Sequence, residues 1–504
     1  MKDSPPTSGS APSRAERIAA AVDFLGELSK SIRILRQARL DPTTPTAAEL
    51  LFGSLIYRFA DGPHSTGVSP RAWAWQRAQH TRLAVASRLP KLSREGTELL
   101  WVPRHSNHLR DMLQVALRRR ERGQAPGVFV VLAGTMLLPI RAAGLPWVDC
   151  APYLHDDWRI RHERESLREA CRYPLGSLRH PEPPLWAEFR LQTMKQVQDT
   201  LEQAVVFRDA FNGLVETVRP RCIVVGNPTL AEGRAATWSA RRVGATTVTI
   251  QHGDLVRDEP AWADVRVDHY CSWGKHGAEM LPLLSKGTTH VHVTGAPWLD
   301  AERRARKEKK GSSVVLVALS GAGHSISMSE HLACLDRLAQ TVRAMPELDW
   351  RIRLHPKDDP QLYATRFDKR VTVQQATKNR PAIDVDLDES AVLLTAGSTA
   401  GLDALRQGVP VITLADPPAF KLPAYVEAGT TLHVGRGQSL TDAIGRVLSE
   451  GVPMPVQERS QKWVEHFYGP TDGRAADRVG DLLESLVEGA CSGEWKMSPL
   501  GSNS

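Results

Sequence analysis

The chain has six cysteines, Cys150, Cys171, Cys222, Cys271, Cys334 and Cys491, and no two of them form a Cys-x-x-Cys pair. That scatter argues against a zinc ribbon and a disulfide framework, and it fits a reducing cytoplasm. No apolar run reaches the ~18 residues that would suggest a bilayer-spanning helix, so none is expected. The opening Met1-Lys-Asp-Ser-Pro-Pro-Thr-Ser-Gly-Ser10 lacks the apolar core of a signal peptide. The glycine-rich Leu319–His324 matches neither Gly-x-Gly-x-x-Gly nor the Gly-x-x-x-x-Gly-Lys-Ser/Thr phosphate loop. His290 and His292 alternate on one strand face with no evident third ligand, so no metal is expected. The thirteen tryptophans are dispersed, and packing is the default role for Trp73 and Trp75. No short-period repeat is present.

At 504 residues the chain is too long for one core and suggests two large domains with appendages. Its formal charge of +7 suits nucleic acid, anionic lipid, a phosphorylated substrate, or simply a soluble basic surface. Residues 1–14 are Ser/Pro/Gly-rich and read as disordered. Residues 15–97 form an N-terminal helical region, with Ile18, Ala21, Val22, Leu25, Leu28 and Ile32 on one side of its first helix. A strand–helix alternation fills 98–300, including the strands Glu98–Val102, Gly127–Leu132, Cys222–Val225, Thr246–Ile250, His269–Ser272 and His290–Val293. Residues 301–312 contain a charged break with six basic and two acidic side chains, read as a solvated linker, with a lipid-binding patch as the sharper alternative. The alternation restarts over 313–455, helices cover 456–488, and 489–504 read as a flexible tail. Alternating strands and helices mean parallel sheets with right-handed crossovers. The fold class is therefore α/β: two doubly wound, Rossmann-like domains facing a cleft, with helical additions at both ends.

The chemistry is expected at strand ends. In Trp350-Arg-Ile-Arg-Leu-His-Pro356, Arg351, Arg353 and His355 share one strand face, and Pro356 stops the ladder. The strand Ala391–Thr395 runs into Gly397-Ser-Thr-Ala-Gly401 and then a helix, where free amides suit an anion. Ser398 and Thr399 are equally ordinary helix caps, and Asp403, one turn on, is placed to reach a ribose or to face solvent. Ser320, Gly321, Gly323 and His324 follow the first strand of the second domain, where a backbone approaches a ligand closely or simply turns. In the first domain, His252 follows a strand and precedes Gly253. A histidine there suits a general base, with Asp254 or Asp258 as substitutes or as turn caps. Asn227 and Glu232 are candidates for the wall of the cleft opposite the glycine loop, and His105 and His108, beside the first strand, are candidates to touch the acceptor.

In order along the chain, Gln251-His-Gly253, Thr294-Gly-Ala-Pro297, Arg353-Leu-His-Pro356, Gly397-Ser-Thr399 and Asp472-Gly-Arg474 resemble the bacterial surface-polysaccharide glycosyltransferases of the GT-B fold. Capsule-synthesis, CDP-glycerol glycerophosphotransferase and sialyl- or Kdo-transferase-like groups carry similar motifs. The resemblance spans roughly residues 98–488. It implies that His355, Pro356, Ser398 and Thr399 bind the phosphate of a nucleotide-activated donor, CMP- or CDP-linked in many relatives. Gly-Ser-Thr stands where a Ser-Ser/Thr pair is common, and the acidic motif of the smaller sialyltransferases is missing.

The expected protein is thus a metal-independent cytoplasmic glycosyltransferase without a cofactor. It would move a sugar from a nucleotide-sugar donor to a glycan or lipid-linked acceptor, with peripheral contact at the inner face of the plasma membrane left open and no nucleic-acid partner. CDP-alcohol phosphotransfer, sugar epimerisation and a non-catalytic assembly role on the same scaffold stay open as alternatives.

Overall fold

Among the described residues, thirteen short strands build two parallel sheets. In the first, β1 (Leu99–Val102), β2 (Val128–Val131), β3 (Trp147–Asp149), β4 (Cys222–Val225), β5 (Thr246–Ile250), β6 (His269–Ser272) and β7 (His290–Val293) lie in the order β3-β2-β1-β4-β5-β6-β7. In the second, β8 (Val314–Val317), β9 (Asp349–Arg353), β10 (Thr372–Gln374), β11 (Val392–Thr395), β12 (Val411–Thr413) and β13 (Leu432–His433) lie in the order β10-β9-β8-β11-β12-β13. The structure, a computed structural model, describes residues 14–35, 45–51, 55, 97–131, 134–153, 165–170, 184–193, 198–255, 260–262, 265, 267–285, 288–300, 313–319, 328–355, 358–375, 383–414 and 423–492.

The strands form where the sequence offers short apolar runs. Leu99–Val102 and Cys222–Val225 are buried at every position, as expected of strands covered on both faces. In each sheet the strand order reverses once, between β1 and β4 and between β8 and β11. Parallel doubly wound sheets place ligand sites outside the carboxyl ends of the strands at such reversals.

The chain divides into two compact units. One comprises Met1–Trp273, Ala278–Ala301 and Asp472–Ser504; the other comprises Gly274–Gly277 and Glu302–Thr471. The charged residues 302–310 lie outside the described residues.

Two elements differ from the sequence expectation. On the first helix, Arg14–Leu35, Ala21, Phe24, Leu25, Leu28 and Ile32 are buried but Val22 is 37% exposed. Phe24 takes its place because it packs edge-on against Trp186 and Phe189. The helical stretch expected over 456–488 is two helices, Met454–Tyr468 and Ala475–Ser492, broken by Gly469, Pro470 and Gly473. The last helix packs into the first unit. Buried Arg119 donates to Gly480 O at 3.0 Å and to Glu484 at 2.6 Å. Asp300 accepts the amides of Ala475 and Ala476 at 3.2 and 2.7 Å, satisfying orphan donors at the helix start.

Candidate functional site

At the reversal point of the first unit, the adjacent strands β1, β4 and β5 each deliver polar groups from their carboxyl ends. After β1 come Arg104, His105 and His108, with His108 in the first turn of the helix Ser106–Glu121. After β4 come Gly226, Asn227 and Thr229, with Glu232 in the first turn of Ala231–Arg242. After β5 come Gln251, His252, Gly253 and Asp254.

The rings of His108 and His252 meet edge to face, with centroids 4.3 Å apart. Gly226 makes room for this: a Cβ there would lie 2.5 Å from His108 Nδ1. His108 Nδ1 faces the amides of Arg104 and His105 at 3.2 and 3.4 Å. Two amide donors require an acceptor, so the proton of the neutral ring sits on Nε2. Burial, with the charges of His252, His105 and Arg104 behind it, pushes His108 down to about 2. Burial, with His105, pushes His252 down to about 4, and the Gly226 backbone partly offsets this. Both rings are therefore neutral at pH 7, and a neutral imidazole is the form that accepts a proton. His105 is exposed and is lowered by partial burial and by Arg104, against the pull of Glu232. Arg104 pairs with Glu232 at 3.1 Å.

Gln251 shapes the turn that carries His252. Its Oε1 accepts Ser272 Oγ at 3.1 Å and the Trp273 amide at 2.9 Å, and its Nε2 donates to Gly253 O at 2.9 Å. Beside the ring is a pocket of about 110 Å³ lined by Asn227, Thr229, His252, Gly253, Asp254, Leu255, Trp262 and Tyr270. The expected base candidates His252 and Asp254 and the neighbouring Gly253 thus share one pocket, while Asp258 lies outside the described residues. Trp262 and Tyr270, which pack edge to face at 6.0 Å, escape sequence reading because their loop and strand carry no motif.

In the second unit the expected phosphate residues lie at the ends of β9 and β11, which flank β8. Two strand spacings put these ends roughly 10 Å apart. His355 lies two residues past β9 in a closed turn: Asp358 N donates to His355 O at 2.9 Å, and His355 N donates to Asp358 Oδ2 at 2.7 Å. The buried Asp358 side chain also accepts Tyr363 Oη at 2.9 Å, and Tyr363 Oη lies 3.3 Å from His331 Nε2. These three partners of the turn were not foreseen, since a lone Asp and Tyr among charged residues give no pattern.

Of the arginines on β9, expected either to meet a phosphate or to pair with acids at the sheet edge, Arg353 is paired with Asp386, itself held by Gln374 Nε2 at 3.1 Å, while Arg351 pairs with Asp349 and Glu389. Both arginines therefore act as sheet-side ion pairs. The free amides expected at Ser398–Thr399 are also mostly engaged: Ser398 N donates to Thr395 Oγ1 at 3.0 Å, Ala400 N to Ser398 Oγ at 3.3 Å, Gly401 N to Ser398 O and Leu402 N to Thr399 O. Thr399 precedes the helix Ala400–Arg406 without a side-chain cap bond. Gly397 adopts φ +93°, and a Cβ on Gly401 would strike Tyr425 Oη, which donates to Ser398 O at 2.7 Å. Asp403 falls within the helix. Pro356, Ser320, Gly321, Gly323 and His324 lie outside the described residues.

His269 joins His290 and His292 at the β7 edge of the first sheet, its Nδ1 3.0 Å from His292 Nε2. No group of three metal-ligating side chains suited to an ion occurs among the described residues. No described helix is long and apolar enough to cross a membrane.

No family model matches the chain, and no curated protein matches it. Solved structures do. A co-structure of S. aureus MnaA with UDP aligns at TM-score 0.51 and 14% identity, covering 80% of this chain and 100% of that one. The UDP-GlcNAc 2-epimerase of Neisseria meningitidis, bound to UDP-GlcNAc, aligns at 0.50 and 16%, covering 77% and 99%. A glycosyltransferase from Rickettsia africae ESF-5 follows at 0.45 and 10%, covering 78% and 98%, too distant to weigh. The likeness shows the fold: two α/β units of GT-B type, with parallel sheets of seven and six strands.

Proposed function

We propose that the chain acts on nucleotide-activated sugars as a glycosyltransferase with His252 as general base. The observation that carries this reading is the half-buried, neutral His252 on a polar pocket with Asn227, Thr229 and Asp254. An acceptor hydroxyl gives its proton to His252. Its oxygen then bonds to the donor's anomeric carbon, and the carbon–phosphate oxygen bond breaks. The nucleotide leaves with the electron pair, and His355, Ser398 and Thr399 are the candidates to meet its phosphate charge. Stabilising that departing charge is as necessary as removing the proton.

A second reading is a nucleotide-sugar epimerase, favoured by the aligned Neisseria meningitidis UDP-GlcNAc 2-epimerase, which holds UDP-GlcNAc. There a base removes a proton from carbon rather than from a hydroxyl. Titrating the protein with UDP, UDP-GlcNAc, CMP and CDP by calorimetry tests the class. Binding of none of them removes both readings and leaves an assembly role. Incubation with the bound sugar nucleotide in deuterated water then separates the chemistries. Deuterium on sugar carbon supports the epimerase, while acceptor-dependent release of free nucleotide without deuterium supports the transferase. CDP-glycerol as the preferred donor would point instead to glycerophosphate transfer.

A further inference from the structure

His252 has two ring nitrogens, and its use as a base depends on which one carries the proton. Asn227 answers that question by its own bonds. Its Oδ1 accepts the Thr229 amide at 2.9 Å and Thr229 Oγ1 at 2.7 Å. A backbone N–H only donates, so the atom facing it must be the amide oxygen, and the orientation of Asn227 is fixed. Its Nδ2 is then the group standing 3.3 Å from His252 Nε2. An amide NH₂ has no lone pair to offer, so this contact is a hydrogen bond only when Nε2 is unprotonated; Nδ1 is buried with no hydrogen-bond partner among the described residues. The spacing is long for a hydrogen bond, which leaves the contact easy for a substrate hydroxyl to replace.

We propose that Asn227 is a positioning residue that sets the tautomer of His252, with the proton on Nδ1 and the lone pair on Nε2 beside the pocket. The inference rests on the reading of His252 as the base. Its consequence is that the base is ready before substrate arrives and needs no proton rearrangement. The other titratable and charged groups around the ring are His105 and His108 from the helix after β1, the Arg104–Glu232 pair, and Asp254 in the same loop. The hydrogen-bonding group that faces Nε2 is Asn227 Nδ2 at 3.3 Å.

Nitrogen NMR on histidine-labelled full-length protein tests this without a substrate, because the two tautomers of neutral imidazole give distinct nitrogen signals. The His252 resonance is identified by its loss in His252→Gln. In the wild type the unprotonated nitrogen should be Nε2. In Asn227→Asp the new carboxylate accepts rather than donates, so the tautomer should invert and the protonation midpoint rise by about one pH unit or more. Asn227→Ala should leave a mixture. A wild-type His252 with its proton on Nε2 overturns the proposal, as does Asn227→Asp with tautomer and midpoint unchanged. Turnover of His252→Gln separates the two claims. Retained turnover with the expected tautomer removes the base and leaves the assignment standing; lost turnover with the opposite tautomer does the reverse.

Discussion

His108 and His252 stand edge to face with ring centroids 4.3 Å apart, although 144 positions separate them in the sequence numbering. The contact joins the ends of β1 and β5 across the end of β4, and Gly226 on β4's side leaves the space. One ring faces two amide donors at 3.2 and 3.4 Å, and the other faces the Asn227 amide at 3.3 Å. Two neutral rings coexist in this contact; two charged ones would repel, and burial opposes charging either.

If His252 is the base, the pH profile of turnover should rise around pH 4 rather than near the usual imidazole value of 6.5. The sign follows from the mechanism: the base works only when neutral, so activity is lost as pH falls through its pKa. Initial rates should therefore climb through about pH 4 and be nearly flat from about pH 5 to about pH 8. His252→Gln should lower the rate about 100- to 10,000-fold while nucleotide binding, measured on the same preparation, is retained. A limb that persists in the mutant assigns the titration to another group.

Gly226→Ala should displace the His108 ring, because the added methyl would sit 2.5 Å from its Nδ1. Overpacking of this kind costs about 1–3 kcal/mol. The expected result is a lower melting temperature together with loss of the His108–His252 contact by NMR. Unchanged stability and an unmoved ring would show that the turn yields elsewhere.

In the second unit, Asp358→Ala should weaken nucleotide binding much as His355→Ala does, since it opens the turn that fixes His355. Each lost contact to a charged partner is worth about 1.5–3 kcal/mol. The double mutant should bind no worse than the weaker single mutant, because both act on one feature. Additive losses in a calorimetric cycle would show that Asp358 acts independently of His355.

The strands were legible because buried parallel strands are short apolar runs, and Cys222–Val225 and Thr246–Ile250 read as such. Trp147–Asp149 and Leu432–His433 were not, being too short to show a period. Histidines at strand ends could be found from Gln251-His-Gly253 and Arg353-Leu-His-Pro356. Their supports were legible only in part: Asn227 was a candidate from its place after β4, whereas Asp358 and Tyr363 matter only through side chains brought together by the fold. The motif Asp472-Gly-Arg474 has a structural explanation. Arg478 binds Asp472 and Thr294 O, and Asp300 caps the helix that follows. Asp300→Ala should accordingly cost about 0.5–2 kcal/mol, as loss of a helix cap does. Urea unfolding checks this, and an unchanged midpoint would mean that water replaces the carboxylate.

Asp111 provides a last test that needs no substrate. It lies on the helix Ser106–Glu121, 1% exposed, with Oδ1 accepting the Trp298 amide at 3.1 Å. Its Oδ2 is buried with no hydrogen-bond partner among the described residues. Burial pushes the acid up to about 7, against the opposing pull of Arg110 and the Trp298 amide. The native state therefore holds this proton at pH values where the unfolded chain, near 3.8, has released it. Stability from this group is full below the unfolded value and is lost as pH rises through the folded one. Across that window the loss is about 1.4 kcal/mol for each pH unit. Asn at this position keeps the Oδ1 acceptor and cannot ionise, so Asp111→Asn should gain on the wild type as pH rises from about 4 to about 7. Urea unfolding of both proteins at several pH values measures the difference directly. Parallel stability curves would mean that Asp111 ionises in the native protein as readily as in the unfolded chain, and that water or a local opening reaches its buried oxygen.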